Sequence, residues 1–528
     1  MHPRRPSLLV SALLAIGSIT SSGTHAAELY REPWRPQFHF TPERNWMNDP
    51  NGMVYHRGEF HLFYQYNPFG DKWGHMSWGH SVSRDLTHWE PLPLALAEEN
   101  GVMIFSGSAV VDHGNTSGFG TRREPPMVAL YTGHHTTRPL QNQHLAYSTD
   151  LGRTWTKYAG NPVLDLGKAD FRDPKVSWHP ASSQWVMAVS LPVERQIAFY
   201  TSPNLKEWRR TGTFGPAGSI KGIWECPDLF PVLVEGSRRT SKWVLIVNVG
   251  SGAPAGGSGC QYFVGEFDGQ TFRPDPRSQP VTGPASNPSA EPALWADWST
   301  DFYAAVSWSD VPQRDGRRLW LGWMSNWEYA QDVPTSPWRS AMTVPRMLTL
   351  RETPSGYRLL QQPVRELESL RTTSSRLRRA SLAEATTWLS GLGDPGALVD
   401  LTAEFEGLKS DTSLSLRLHT GPGESTLLQC DVARGRLIVD RTRSGRTEFH
   451  AKFPAVHEAP VRIVEGRLRL RLLLDTSSVE VFAQDGETVT STLVFPTGGD
   501  RRFELSATGT APTLKRLELH RLRSAVGR

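Results

Sequence analysis

The sequence predicts an all-β chain, a five-bladed β-propeller followed by a β-sandwich domain, on three observations. A polar turn ending on an aromatic recurs: Ser83-Arg84-Asp85-Leu86 before Trp89, Ser148-Thr149-Asp150-Leu151 before Trp155, and Ser202-Pro203-Asn204-Leu205 before Trp208. Asp268-Gly269-Gln270-Thr271-Phe272 is a degenerate fourth copy. Runs rich in Val, Tyr, Phe and Trp, bounded by Gly, Pro and Asn, lie in pairs between these turns. Beyond residue 398 the pattern becomes a short alternation of apolar and polar residues.

Taken in order, residues 1–26 have the form of a signal peptide. Arg4 and Arg5 precede the apolar run 8–16, and small residues follow to Ala26 and Ala27. That run is too short to span a bilayer, so an exported protein, periplasmic or extracellular, with no membrane partner is expected. The formal net charge of +4 falls to about +2 without Arg4 and Arg5, which excludes the basic field that nucleic acid needs. Three cysteines, Cys226, Cys260 and Cys430, form at most one pair and no disulfide framework. No Cys/His spacing suits zinc.

The propeller is expected over residues 29–350. Its paired strands are 52–55 with 59–64, 108–111 with 127–131, 175–178 with 185–189, 228–234 with 243–249, and 302–308 with 318–324. Five units spaced by about 50 to 65 residues make five blades; periodicity alone leaves open a sandwich with long loops. Residues 351–394 read as a linker, with a short helix over 363–371 that places Pro363 in its first turn. The sandwich is expected over 395–528, with strands at 399–406, 414–419, 467–474 and 478–483 and turns at Gly421, Gly423, Gly435 and Gly445.

Three acidic motifs stand just before the first strand of a unit: Trp46-Met47-Asn48-Asp49-Pro50-Asn51-Gly52, Arg172-Asp173-Pro174 and Trp224-Glu225-Cys226-Pro227-Asp228. First strands line a propeller's channel, so acids at their starts converge on one mouth. A following proline biases the backbone to extended or turn conformations there. Each motif taken alone reads equally well as an ordinary turn or a surface ion pair; their recurrence at one register favours a carboxylate cluster of the kind glycosidases use. Trp46, Trp73 and Trp327 lie where an indole face can stack on a sugar, whereas most other tryptophans suit blade packing.

These motifs, with Phe63-Tyr64-Gln65-Tyr66-Asn67-Pro68 and Phe105-Ser106-Gly107-Ser108, resemble the signatures of glycoside hydrolase family 32. Leu473-Leu474-Asp475-Thr476-Ser477-Ser478-Val479-Glu480-Val481-Phe482 resembles that family's C-terminal sandwich. The resemblance implies Asp49 as nucleophile, Glu225 as acid/base and Asp173 as transition-state stabiliser. It implies that Asn48, Gln65, Trp73, Phe105, Ser106, Arg172 and Trp327 shape a pocket for terminal fructose, with no metal or other cofactor. Asn326-Trp327-Glu328-Tyr329 and the run 334–339 look most like bacterial exo-acting levanases and inulinases. The implied activity is retaining exo-β-fructosidase action on the terminal β-D-fructofuranosyl residues of levan, inulin and sucrose, by a monomer, with an oligomer left open. A fructosyltransferase would share these residues. A non-catalytic fructan-binding propeller protein is expected to have lost an acid, and all three are present.

Overall fold

The computed structural model describes residues 29–237, 239–284 and 287–526; the expected signal peptide lies outside them. Blade one is the antiparallel meander Asn45–His56, Glu59–Tyr66, Ser77–Ser83 and Glu90–Leu96. Four further blades open with the inner strands Val102–Val111, Arg172–His179, Trp224–Leu233 and Tyr303–Ser307. Each inner strand packs on the next, and the fifth returns to the first. The expected five-bladed propeller is what the chain forms. Main-chain bonds close the ring: Asn45 N donates to Pro337 O at 2.7 Å, Tyr55 N to Ser309 O and Ser309 N to Met53 O, both at 2.9 Å.

The recurrent turn joins the third and fourth strands of a blade, and its chemistry explains the repeat. Asp85, Asp150, Asn204 and Asp268 each accept backbone N–H bonds from the residues just beyond them. The next residue has positive φ: Leu86 (63°), Leu151 (60°), Leu205 (65°) and Gly269 (92°). That conformation costs a leucine about 1–2 kcal/mol, which side-chain burial offsets, fully at Leu86 and Leu205 and in part at the half-buried Leu151. The fourth copy has glycine, the residue that adopts this conformation freely.

The expected linker at 351–394 is not one. Arg346–Thr353 and Gly356–Pro363 complete the fifth blade, and Arg371–Ala380 pairs with Thr513–Leu522 as an edge strand of the second domain. The short helix expected at 363–371 is a 3₁₀ segment, Arg365–Leu370. An unforeseen helix, Leu382–Gly391, starts at a capping box: Ser381 Oγ accepts from Glu384 N, and the Glu384 carboxylate accepts from Ser381 N. The second domain is a sandwich of a six-stranded and a five-stranded sheet. Alternation such as that of Ser413–Gly421 buries every second residue between them.

Buried charges clasp the two domains. His39 Nδ1 meets Asp475 Oδ2 at 2.8 Å and Nε2 meets Glu480 Oε2 at 3.0 Å, with all three side chains fully buried. Arg346, on the fifth blade, donates to Glu480 at 2.5 Å and to Ser491 at 2.6 Å. Arg441 of the sandwich donates to Asp301 at 2.6 Å and to the Tyr329 hydroxyl at 3.0 Å. Burial opposes charge on His39, but its two carboxylate partners outweigh this and raise it to about 9. Burial likewise works against Asp475 and Glu480, yet His39 and, for Glu480, Arg346 hold both below the ordinary carboxylate range.

A histidine raised from 6.5 to about 9 contributes roughly 3 kcal/mol of stability. That contribution is fully present below pH 6.5 and is lost as pH rises through 9. His39→Ala strands two buried carboxylates and is expected to cost about 3–5 kcal/mol at pH 6, and much less at pH 10. Denaturant unfolding of both proteins at the two pH values checks this; equal losses at both would refute a charged clasp.

Candidate active site

All five inner strands lose register with their neighbours at one level. The breaks fall between Met47 and Pro50, Ile104 and Gly107, Arg172 and Lys175, Glu225 and Asp228, and Tyr303 and Val306. A bulge of this kind re-aims side chains, and Asp173 (φ 68°), Cys226 (φ 44°) and Ala304 (φ 51°) hold the strained left-handed conformation inside three of them. The three acids therefore lie on the first strands rather than before them. They also occupy successive positions, not one register: Glu225 precedes its break, Asp173 is first within its own, and Asp49 is second.

Residues at equivalent positions of adjacent blades bond to one another. Before the break, Arg172 Nη2 lies 3.0 Å from Glu225 Oε1, and the Tyr303 hydroxyl donates to Glu225 Oε2 at 2.5 Å. At the next position Cys226 N donates to Asp173 Oδ2 at 2.8 Å. One further on, Ser106 Oγ donates to Asp49 Oδ2 at 2.7 Å. Past the break, Lys175 lies 3.3 Å from Asp228. Asn48 Nδ2 and the Cys226 thiol also donate to Asp49, at 3.0 and 3.4 Å.

Asp49 and Asp173 are buried, whereas the Glu225 side chain keeps a fifth of its surface open. Burial lifts Asp49 above the ordinary carboxylate range, against the hydrogen bonds of Ser106 and Asn48. Asp173 is pushed up to about 7 by burial; Arg172 draws it down, and the charge of Glu225 adds to the rise. The cluster therefore retains a proton at weakly acidic pH. Burial, reinforced by the neighbouring acids, raises the Cys226 thiol and the Tyr303 hydroxyl well beyond their usual values, so both stay neutral donors. Among the described residues no group of three or more His, Cys, Asp or Glu side chains is arranged to hold a metal.

Of the remaining residues singled out by sequence, Gln65 is buried and donates to Ile104 O at 2.9 Å. Phe105 packs edge-on against the half-open Trp73, with centroids 6.1 Å apart. Trp327 lines a cavity of about 440 Å³ together with Glu225, Arg195, Lys221 and Ile223. Trp46 is fully buried and offers no face to a sugar; it stacks on Trp327 and donates to Asn48 Oδ1 at 2.7 Å. A larger cavity of about 620 Å³, lined by Phe40, Trp89 and Glu43 among others, holds none of the three acids. Sequence reasoning missed Tyr303, and aligning the fifth unit with Glu225 would have found it. It also missed Thr132 and Gln141, which no motif marks; Thr132 Oγ1 accepts from Asp173 N and Gln141 Oε1 accepts from Arg172.

Three carboxyls, two buried and one on an open wall, with donors holding each, are equipped for proton transfer and nucleophilic attack at one sugar. Comparison with known proteins points the same way. Residues 39–363 match the model of the glycosyl hydrolases family 32 N-terminal domain, and residues 366–521 match that of the family's C-terminal domain. The chain is 46% identical to a levanase of Bacillus subtilis (strain 168), over 100% of this chain and 76% of the relative. It is 40% identical to an extracellular exo-inulinase of Aspergillus awamori, over 94% and 96%. The crystal structure of exo-inulinase from that organism superimposes with a TM-score of 0.84 at 38% identity, covering 94% of this chain and 99% of the other. A fructofuranosidase of Schwanniomyces occidentalis complexed with fructosylnystose gives 0.81 at 31%, covering 93% and 98%. With both family models matched along nearly its whole described length, the chain belongs to glycoside hydrolase family 32.

Proposed function

We propose that this chain is a retaining exo-β-fructosidase that removes terminal non-reducing β-D-fructofuranosyl residues from levan, inulin and sucrose. The carrying observation is the carboxyl trio at the ring's mouth, with Glu225 on the open wall and Asp49 and Asp173 buried behind it. An Asp49 oxygen attacks the anomeric carbon as the glycosidic C–O bond breaks, and Glu225 gives its proton to the leaving oxygen. Glu225 then takes a proton from water as that water displaces Asp49, so two inversions return the β configuration. Tyr303 and Arg172 orient the Glu225 carboxyl by holding one oxygen each. Asp173 accepts ring hydroxyls, and those hydrogen bonds favour its ionised form against the burial that otherwise keeps it protonated. All of these groups come from one chain, so a monomer suffices. The similarity to an extracellular exo-inulinase supports action outside the cytoplasm.

Glu225→Ala is expected to slow sucrose hydrolysis by ~10²–10⁴-fold, the usual worth of general acid–base catalysis. Fructosides with activated leaving groups should lose less in the first step. Asp49→Ala should abolish turnover of every substrate, because no fructosyl-enzyme forms. Steady-state kinetics on sucrose and an aryl fructoside check both, and a near wild-type rate for Asp49→Ala would remove the nucleophile assignment.

Asn48, Asp49 and Gln65 are buried, in keeping with a pocket that takes a chain end rather than a mid-chain unit. Inulin and levan should release free fructose from the first minutes, with the fructose in the β configuration when first formed. Chromatography and early-time NMR of the products test this. A ladder of oligofructosides would show attack within the chain.

A further inference from the structure

At the pocket rim one histidine has no part in the steps above. His134, near the end of strand Met127–His135, pairs across its hairpin with Gln141. Its ring lies flat on Phe105, with centroids 4.4 Å apart and planes at 4°. Gln141 is buried, and its surroundings fix which way its amide points. Its Oε1 accepts from Phe171 N at 3.0 Å and from Arg172 Nη1 at 3.1 Å. An oxygen committed to two donors leaves the amide nitrogen for the other side, where Nε2 lies 3.2 Å from His134 Nδ1. Nδ1 must then be the acceptor, which places the imidazole proton on Nε2. Arg172 in turn grips Glu225. A continuous chain of contacts thus runs from the rim through Gln141 and Arg172 to Glu225.

We propose that His134 is a positioning residue of the reaction: its Nδ1 lone pair locks the Gln141 amide, whose oxygen holds Arg172 where it aligns the Glu225 carboxyl. This rests on the assignment of Glu225 as acid/base. The same geometry makes the arrangement sensitive to acid. A protonated Nδ1 would confront the Gln141 amide N–H, and the amide could answer only by flipping, which would turn its NH₂ group onto Arg172 and Phe171 N. The groups facing His134 are Arg172 and His135, which oppose its protonation, and Asp170, which favours it; with burial the leading cause, its affinity for a proton is below that of an ordinary histidine.

Two variants separate the parts. His134→Phe keeps the stacking on Phe105 and removes the acceptor, whereas His134→Asn offers a carbonyl acceptor that never titrates. With sucrose between pH 4 and 8, His134→Phe is expected to lower kcat about tenfold at pH 7 and by less toward pH 4, where the wild-type ring itself loses its acceptor, with KM changed less than twofold. His134→Asn should recover most of kcat at pH 7 and lose less than the wild type toward pH 4. Unfolding midpoints of both variants distinguish loss of alignment from loss of folding, and the pH arm of His134→Asn stands even where His134→Phe is unstable. Wild-type kcat in His134→Phe, or an unchanged acid limb in His134→Asn, would overturn the proposal. Near wild-type activity in Glu225→Ala would instead show that the acid/base assignment itself fails.

Discussion

A β-strand satisfies its backbone by pairing within its own sheet, and at the axis of a propeller the next strand belongs to a different sheet. The chain meets this constraint by breaking the register of all five inner strands at one level. There, groups that would otherwise point along a sheet turn toward neighbouring blades. Equivalent positions then become partners: Arg172, Glu225 and Tyr303 form one tier, Asp173 and Cys226 the next, Asp49 and Ser106 the third. The three acids of the candidate site stand on three different blades, yet each is held by the residue that occupies its own place on an adjacent blade. Ring closure between the fifth and first blades is therefore a condition for the site as much as for the fold.

Much of this was legible because the constraints are local. The turn copies carry a side chain that caps its own backbone, and the prolines at positions 50, 174 and 227 mark strands that leave regular pairing. What was illegible is long-range or lies at an edge. Arg371–Ala380 reads as linker because an edge strand exposes most of its residues, and only its partner Thr513–Leu522 makes it a strand. Tyr303 bears no motif of its own; its role comes from standing beside Glu225 at the equivalent position of the adjacent blade. The clasp of His39 with Asp475 joins residues 436 apart in sequence, a pairing no window along the chain can reveal. The helix Leu382–Gly391, by contrast, was readable from Ser381 and Glu384.

Burial alone does not decide what these carboxylates do; the number and the charge of the donors given to each do. Asp475 is as buried as Asp49 and Asp173, yet it accepts from the backbone of Gln37, Phe38 and Thr476 and from the His39 ring, and its carboxyl is held below the ordinary range. Asp49 has three side-chain donors, one of them a weak thiol, and is raised. Among the described residues Asp173 has one direct hydrogen-bond donor, Cys226 N, with Arg172 Nε at 4.0 Å, and it is raised to about 7. The clasp is a completed set of interactions and contributes stability. The pocket is an incomplete set, and its incompleteness is a local cost to the folded state. Under the proposed function, sugar hydroxyls are the donors that Asp173 lacks, and a forming oxocarbenium is the positive charge that both buried acids lack. On this view substrate recognition and transition-state stabilisation are what remains when a buried carboxylate is denied the partners that the interdomain clasp supplies in full.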